Sequence, residues 1–151
     1  MATDDQPAAG RFEGRAHLLA ARVYYEDTDF TGFVYHANYL RFFERGRSDF
    51  LRACGVRHAA LLAADTAFTV LAIEVRFHAP ARIDDALLVR TTFDAVRGPR
   101  LLIAQSLLRG RAVLAEAKVE ACCITLAGRA KRPPAALIEA LRPYLADAAS
   151  G

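Results

Sequence analysis

The sequence predicts an α+β domain in which a curved, five-stranded antiparallel sheet wraps around one long central helix. Three observations lead there. A single amphipathic helical period lies between about Asn38 and Cys54, four long strand-like runs follow it, and the links between those runs are too short for parallel crossovers. A chain of 151 residues and 16.5 kDa has the usual size of one domain. With 54% hydrophobic and 25% charged residues it has material for a core and lacks the profile of a disordered chain.

Residues 1–15, polar and rich in Ala, Gly and Asp, are expected to form a flexible extension, with one domain over 16–146 and a flexible tail at 147–151. HLLAARVYY (17–25) reads as a short apolar strand and EDTDFTG (26–32) as a loop at its exit. In NYLRFFERGRSDFLRAC (38–54), Tyr39, Phe43, Gly46, Phe50 and Cys54 share one helical face, while Arg41, Glu44, Arg45, Arg47, Asp49 and Arg52 occupy the rest. Arg45 with Asp49 and Glu44 with Arg47 have the spacing of surface pairs, each adding about 0.2–0.5 kcal/mol. Gly46 costs up to about 1 kcal/mol of helicity against alanine, so close packing of the helix backbone on a sheet is expected there. Gly55 supplies a stop.

Beyond it, AFTVLAIEVRFHAP (67–80), ALLVRTTFDAVRG (86–98), RLLIAQSLLRG (100–110) and RAVLAEAKVEACCITLAG (111–128) read as four strands. Glu74, Arg76 and His78 alternate with Ile73, Val75 and Phe77, giving one solvated and one core face. AALIEALRPYLADAAS (135–150) reads as a short helix interrupted near Pro143. The apolar content of the long strands implies that a second subunit covers part of the sheet, in a homodimer or a higher assembly such as a tetramer.

Several function classes drop out. No apolar run reaches transmembrane length, and the opening MATDDQPAAG has neither the apolar stretch of a secretory signal nor the basic character of a transit segment, so a cytoplasmic location is expected. Cys54, Cys122 and Cys123 are too few and too awkwardly placed for a disulfide framework and read as structural thiols. A net charge of +3 accommodates a small anionic ligand, whereas nucleic-acid binding needs a basic stripe or a recognition motif that the chain lacks.

The chemistry concentrates in RVYYEDTDFTGFVYHANYLRFFE (22–44). Glu26, Asp27 and Asp29 sit in a loop, and His36 stands just before the helix. The stretch has no metal-ligand spacing, and Ser48 and Ser106 lack a nucleophile elbow. A helix start offers unpaired N–H groups and a positive dipole end, and a loop carboxylate can stand opposite it. That pairing suits acyl transfer: amides stabilise the oxyanion formed from a thioester carbonyl, while the carboxylate either deprotonates water or attacks directly. As a general base an ordinary Asp, with a pKa of about 3.9, is too weak at neutral pH, so partial burial is expected to raise it. Asp27 and Glu26 read as loop-capping groups, and His17, His58 and His78 as structural.

This segment resembles the active-site stretch of hotdog-fold thioesterases related to 4-hydroxybenzoyl-CoA thioesterase. Together with VRFHAPARIDD (75–85) it resembles the acyl-CoA thioesterase family associated with the bacterial Tol-Pal envelope system, over roughly residues 17–140. The resemblance implies acyl-CoA hydrolysis without a metal or redox cofactor, active sites between subunits, and an indirect connection to the envelope system. It makes Asp29 the catalytic aspartate and sets His36 beside the thioester. Tyr35 and Tyr39 are candidates for the acyl pocket or for ordinary packing. Thr66, Ala67 and Phe68 are candidates for the carbonyl-polarising region, and Arg97, Arg100, Lys131 and Arg132 for the phosphates of coenzyme A. Two alternatives remain at this level: a non-catalytic hotdog scaffold that binds ligand or protein, and a hydratase or dehydratase on the same fold.

Overall fold

The computed structural model describes residues 5–146. Strands β1 (Arg11–Glu13) and β2 (Ala16–Arg22) precede helix α1 (Tyr39–Ala53) and the short α2 (His58–Ala63). Strands β3 (Ala67–Phe77), β4 (Ala86–Arg97), β5 (Arg100–Arg109) and β6 (Ala112–Ile124) follow, and α3 (Ala135–Leu141) comes last. All pairings are antiparallel, in the order β1-β2-β4-β5-β6-β3.

The sheet therefore has six strands rather than five, and it is an open sheet with β1 and β3 at its two edges. The additional strand lies in the stretch expected to precede the first one. Three residues are too few to show a period of two, and β1 is held instead by tertiary packing. Phe12 stacks on Tyr144 at 3.9 Å between ring centroids and meets Phe50 edge-on at 5.0 Å. The expected tail at 147–151 lies outside the described residues. Helix α2 was not legible either: six residues contain too little periodicity to separate from a turn.

Helix α1 lies across β2, β4 and β5. Its buried face is Tyr39, Phe42, Phe43, Gly46 and Phe50, which meets Val89, Phe93, Leu101, Ile103 and Leu107 from the sheet. It ends as expected, with Gly55 N–H donating to Arg52 O at 3.0 Å. Of the two expected side-chain pairs, Glu44 with Arg47 forms, and Arg47 also donates to the buried Gln105 at 2.9 Å. The Arg45 to Asp49 pair does not. Arg45 lies over the Phe42 ring, and Asp49 turns toward β2.

The close approach at Gly46 is present. A Cβ there would stand 2.6 Å from Val89 Cγ1 and 2.8 Å from Thr91 Oγ1. Both neighbours belong to β-branched side chains fixed in the middle of the sheet, so neither can swing aside. Gly46→Ala is therefore expected to destabilise by about 1–3 kcal/mol despite its better helix propensity, read as a lower urea midpoint with unchanged slope.

Asp49 Oδ2 accepts two hydrogen bonds, from Gly10 N–H and from His17 Nε2, each at 2.8 Å. His17 is fully buried between Phe12 and Phe50, and its Nδ1 has no partner among the described residues. The ring is thus neutral with its proton on Nε2. Burial pushes its pKa down, outweighing the charge and hydrogen bond of Asp49. A histidine whose folded pKa is depressed stabilises fully above its unfolded value and less as pH falls toward the folded one. The melting temperature is expected to drop as pH decreases below about 6.5, and His17→Gln, which keeps an N–H donor, to flatten that slope.

The cysteines are free thiols: Cys122 and Cys123 are buried, and burial pushes the Cys54 thiol up to about 11. No helix of the described residues is long and apolar enough to cross a membrane.

Candidate active site

Between β2 and α1 the chain folds into a tight hairpin. Thr28 bridges Val34, Asp29 N–H donates to Phe33 O at 3.0 Å, and Gly32 N–H returns to Asp29 O at 3.1 Å. Gly32 takes φ +83°, a left-handed conformation that a β-carbon disfavours. The hairpin docks on the segment leading into β4: Val34 N–H donates to Ala81 O at 2.9 Å, and Ile83 N–H to Gly32 O at 3.1 Å. Arg82 lies 4.7 Å over the Phe33 ring.

Asp29 occupies the outer part of this hairpin and is exposed. Its Oδ1 accepts the Thr31 hydroxyl, and the Thr31 N–H at 2.8 Å, leaving Oδ2 for other partners. These two bonds hold the carboxyl below the usual carboxylate range; desolvation opposes them and the His36 ring acts with them. The expected upward shift is thus absent from the single chain, because partial burial, its proposed cause, is absent too.

Asp27 has the opposite surroundings. It is buried, its Oδ2 accepts Tyr24 N–H at 2.8 Å, and its Oδ1 accepts Asn38 Nδ2 at 2.7 Å. Its carbonyl also accepts Tyr35 N–H at 3.0 Å. Residues His36–Asn38 form a single 3-10 turn that runs directly into α1. At its start the N–H groups of His36 and Ala37 have no acceptor among the described residues. The sequence pointed to amides at the helix start, but with no Ser, Thr or Asp cap there it did not fix which residues would supply them. The only signal was the position of His36 and Ala37 ahead of the apolar period.

His36 is exposed, and its ring lies 4.5 Å from that of Tyr35. Tyr39 is buried: its hydroxyl oxygen accepts Ala81 N–H at 3.0 Å, and its ring meets Phe77 edge-on. Asp29, Tyr35, His36 and Tyr39 therefore gather at the end of the sheet where β3 finishes.

The remaining candidates gather at the other end, where β3 begins. Thr66 is buried, its N–H is taken by Leu61 O at 2.9 Å, and its hydroxyl accepts Lys131 Nζ at 3.1 Å. Lys131 also caps Ala64 O at 2.9 Å and Asp65 O at 3.2 Å, so it locks this turn. Arg97 and Arg100 face each other across the β4–β5 turn, and Arg100 pairs with Glu120 at 3.0 Å. Arg132 is exposed. Between α1, α2 and this end of β3 opens a cleft of about 700 Å³. Thr66, Ala67 and Phe68 line it, with an apolar floor that includes Leu51, Leu61, Phe93 and Ile103. One chain thus separates the two halves of the candidate site by the length of β3, which at about 3.3 Å per residue is roughly 30 Å.

A helix start with free amides thus follows directly on a docked hairpin that carries an exposed carboxylate. Residues 23–141 match the Thioesterase-like superfamily, and the chain belongs to that family. It is 42% identical over 106 residues to the acyl-CoA thioesterase YbgC of Haemophilus influenzae, covering 70% of this chain and 78% of the relative. It is 42% identical over 104 residues to the acyl-CoA thioester hydrolase YbgC of Escherichia coli O157:H7, covering 68% and 78%. Among solved structures, a probable thioesterase from Bartonella henselae superposes with a TM-score of 0.71 at 43% identity, covering 79% of this chain and 98% of that one.

Proposed function

We propose that this chain is an acyl-CoA thioesterase that hydrolyses an acyl-CoA to free coenzyme A and a carboxylic acid. The observation that carries the reading is the juxtaposition, within one hairpin and the turn after it, of the Asp29 carboxylate with the unbonded amides of His36 and Ala37. The thioester carbonyl oxygen lies against those amides, where the helix start also favours negative charge. Asp29 Oδ2 either takes a proton from the attacking water or attacks the carbonyl carbon itself. Collapse of the tetrahedral intermediate expels the coenzyme A thiolate, which leaves as the thiol; the first route yields the carboxylic acid at once, and the second leaves an Asp29 mixed anhydride that water then hydrolyses to the acid and the free carboxylate. Both routes use the ionised carboxylate, which the bonds from Thr31 favour.

The separation of the two half-sites supports a dimer. β3 is an edge strand with Val70, Leu71 and Phe77 exposed at 46%, 52% and 51%. Two copies pairing antiparallel along β3 set the Asp29 end of one beside the Thr66–Phe68 end of the other. The cleft then receives the acyl chain, and Arg97, Arg100, Lys131 and Arg132 stand near the nucleotide. A dimer or a tetramer of such dimers serves equally. The working place of the enzyme is the cytoplasm, and its connection to the Tol-Pal envelope system is indirect.

The test is release of coenzyme A thiol from a panel of short, long, branched and aromatic acyl-CoA substrates. Free thiol with the matching acid is the expected product. Thioester recovered with one water gained or lost would replace hydrolysis by hydration or dehydration, and binding without turnover would leave a scaffold.

A further inference from the structure

We infer that Asp27 and Asn38 form a positioning clamp for the amides that polarise the carbonyl; the inference rests on the active-site reading above. The geometry is closed on every side. Asp27 is buried at 3% exposure and Asn38 at 8%. One carboxylate oxygen holds Tyr24 N–H, where the chain leaves β2, and the other holds the Asn38 amide, where the 3-10 turn enters α1. The Asp27 carbonyl holds Tyr35 N–H, immediately before His36. A single residue thus ties together the beginning of the hairpin, the residue preceding the free amides and the residue following them.

A buried carboxylate with both oxygens engaged is a poor candidate for proton transfer, since nothing reaches it. Its mechanical effect is direct. The free N–H groups of His36 and Ala37 belong to a turn of only three residues, held besides by its run into α1 and by the Val34 N–H bond to Ala81 O just before it. Losing the clamp lets the turn rotate relative to Asp29, and displacements of about 1 Å at a reacting centre cost on the order of 100-fold in rate. The clamp therefore acts through the amides and not on the substrate.

The pair also offers a reciprocal test. Asn38→Asp keeps the shape but sets a second carboxylate against that of Asp27, so the bond between them is lost and like charges face each other. In the double variant Asp27→Asn/Asn38→Asp, the oxygen at position 27 accepts Tyr24 N–H while its amide donates to the carboxylate at position 38, and both bonds are in place. Asn38→Asp is expected to lower kcat roughly 10- to 100-fold with KM within about 3-fold, and the double variant to recover to within about 3-fold of wild type. Hydrogen exchange across residues 35–38 should be faster in the single variant and restored in the double.

A folded single variant with wild-type kcat and exchange overturns the inference. So does a folded double variant whose kcat stays 10-fold or more below wild type; because the comparison is with wild type, this arm holds even if the single variant fails to fold. A role confined to stability would lower the melting temperature and leave kcat per folded molecule unchanged, which also overturns it. Failure of the active-site reading looks different: Asp29→Asn would stay active, or wild type would show no hydrolysis, while the exchange measurements still report on the clamp.

Discussion

Asp29→Asn is expected to lower kcat for acyl-CoA hydrolysis by roughly 10²- to 10⁴-fold, the range associated with loss of a positioned base or nucleophile. KM should stay near the wild-type value if, as proposed, the residue acts on the carbonyl and not on the acyl chain or the nucleotide. The fold should survive. Asp29 is exposed, and an asparagine oxygen can still accept the Thr31 N–H and hydroxyl that shape the loop. Equal thiol release by the two proteins would remove Asp29 from the mechanism.

The pH dependence of the same reaction reads the surroundings of that carboxyl in the working enzyme. Thr31 holds the Asp29 carboxyl below its ordinary range, so the ionised form persists and activity is lost only as pH falls through that depressed value. The acidic limb of kcat is then expected below about pH 4. A limb between about pH 5 and 7 would instead report a carboxyl driven up by burial beneath a partner subunit.

The fold was legible where periodicity ran long. Residues 38–54 carry enough helical turns, and 67–124 enough alternation, for the helix and four strands to be read with nearly the observed limits. Elements of three and six residues, β1 and α2, were not, since each is specified by what it packs against: Phe12 on Tyr144 and Phe50, and α2 on the cleft. Gly46 is the clearest local success, because a glycine in mid-helix is costly enough to demand a reason, and the reason is Val89. Arg45 and Asp49 show the converse. Correct spacing did not make a pair once a buried histidine and the Gly10 amide competed for the same carboxylate.

At the site, the chemistry-bearing side chains stood out by type, and the backbone groups did not. Amides without partners leave no letter in a sequence, so the helix start near Asn38 and the region Thr66–Phe68 both stood as candidates; free N–H groups lie at His36 and Ala37. Distance was equally hidden. Asp29 and Phe68 are 39 positions apart in the chain, which says nothing about their occupying opposite ends of one strand.

That separation gives the second large effect. Phe68→Glu places a carboxylate in the apolar cleft at the beginning of β3, where it repels both the acyl chain and the phosphates of coenzyme A, and is expected to reduce kcat/KM by 100-fold or more, roughly the cost of an unpaired charge in an apolar pocket. Alone, Asp29→Asn and Phe68→Glu are each nearly inactive. If each site takes its carboxylate hairpin from one subunit and its cleft from the other, a mixed dimer of the two variants contains one site with both defects and one with neither. Random exchange at equal concentrations makes half the dimers mixed, so activity should return to roughly a quarter of wild type, half the sites in half the dimers. A site built within a single chain cannot be rescued this way, because every subunit carries one defect. Activity that stays at the level of the separate variants, after mass spectrometry has shown that subunits exchanged, would therefore place the whole site in one protomer and remove the edge of β3 from the mechanism.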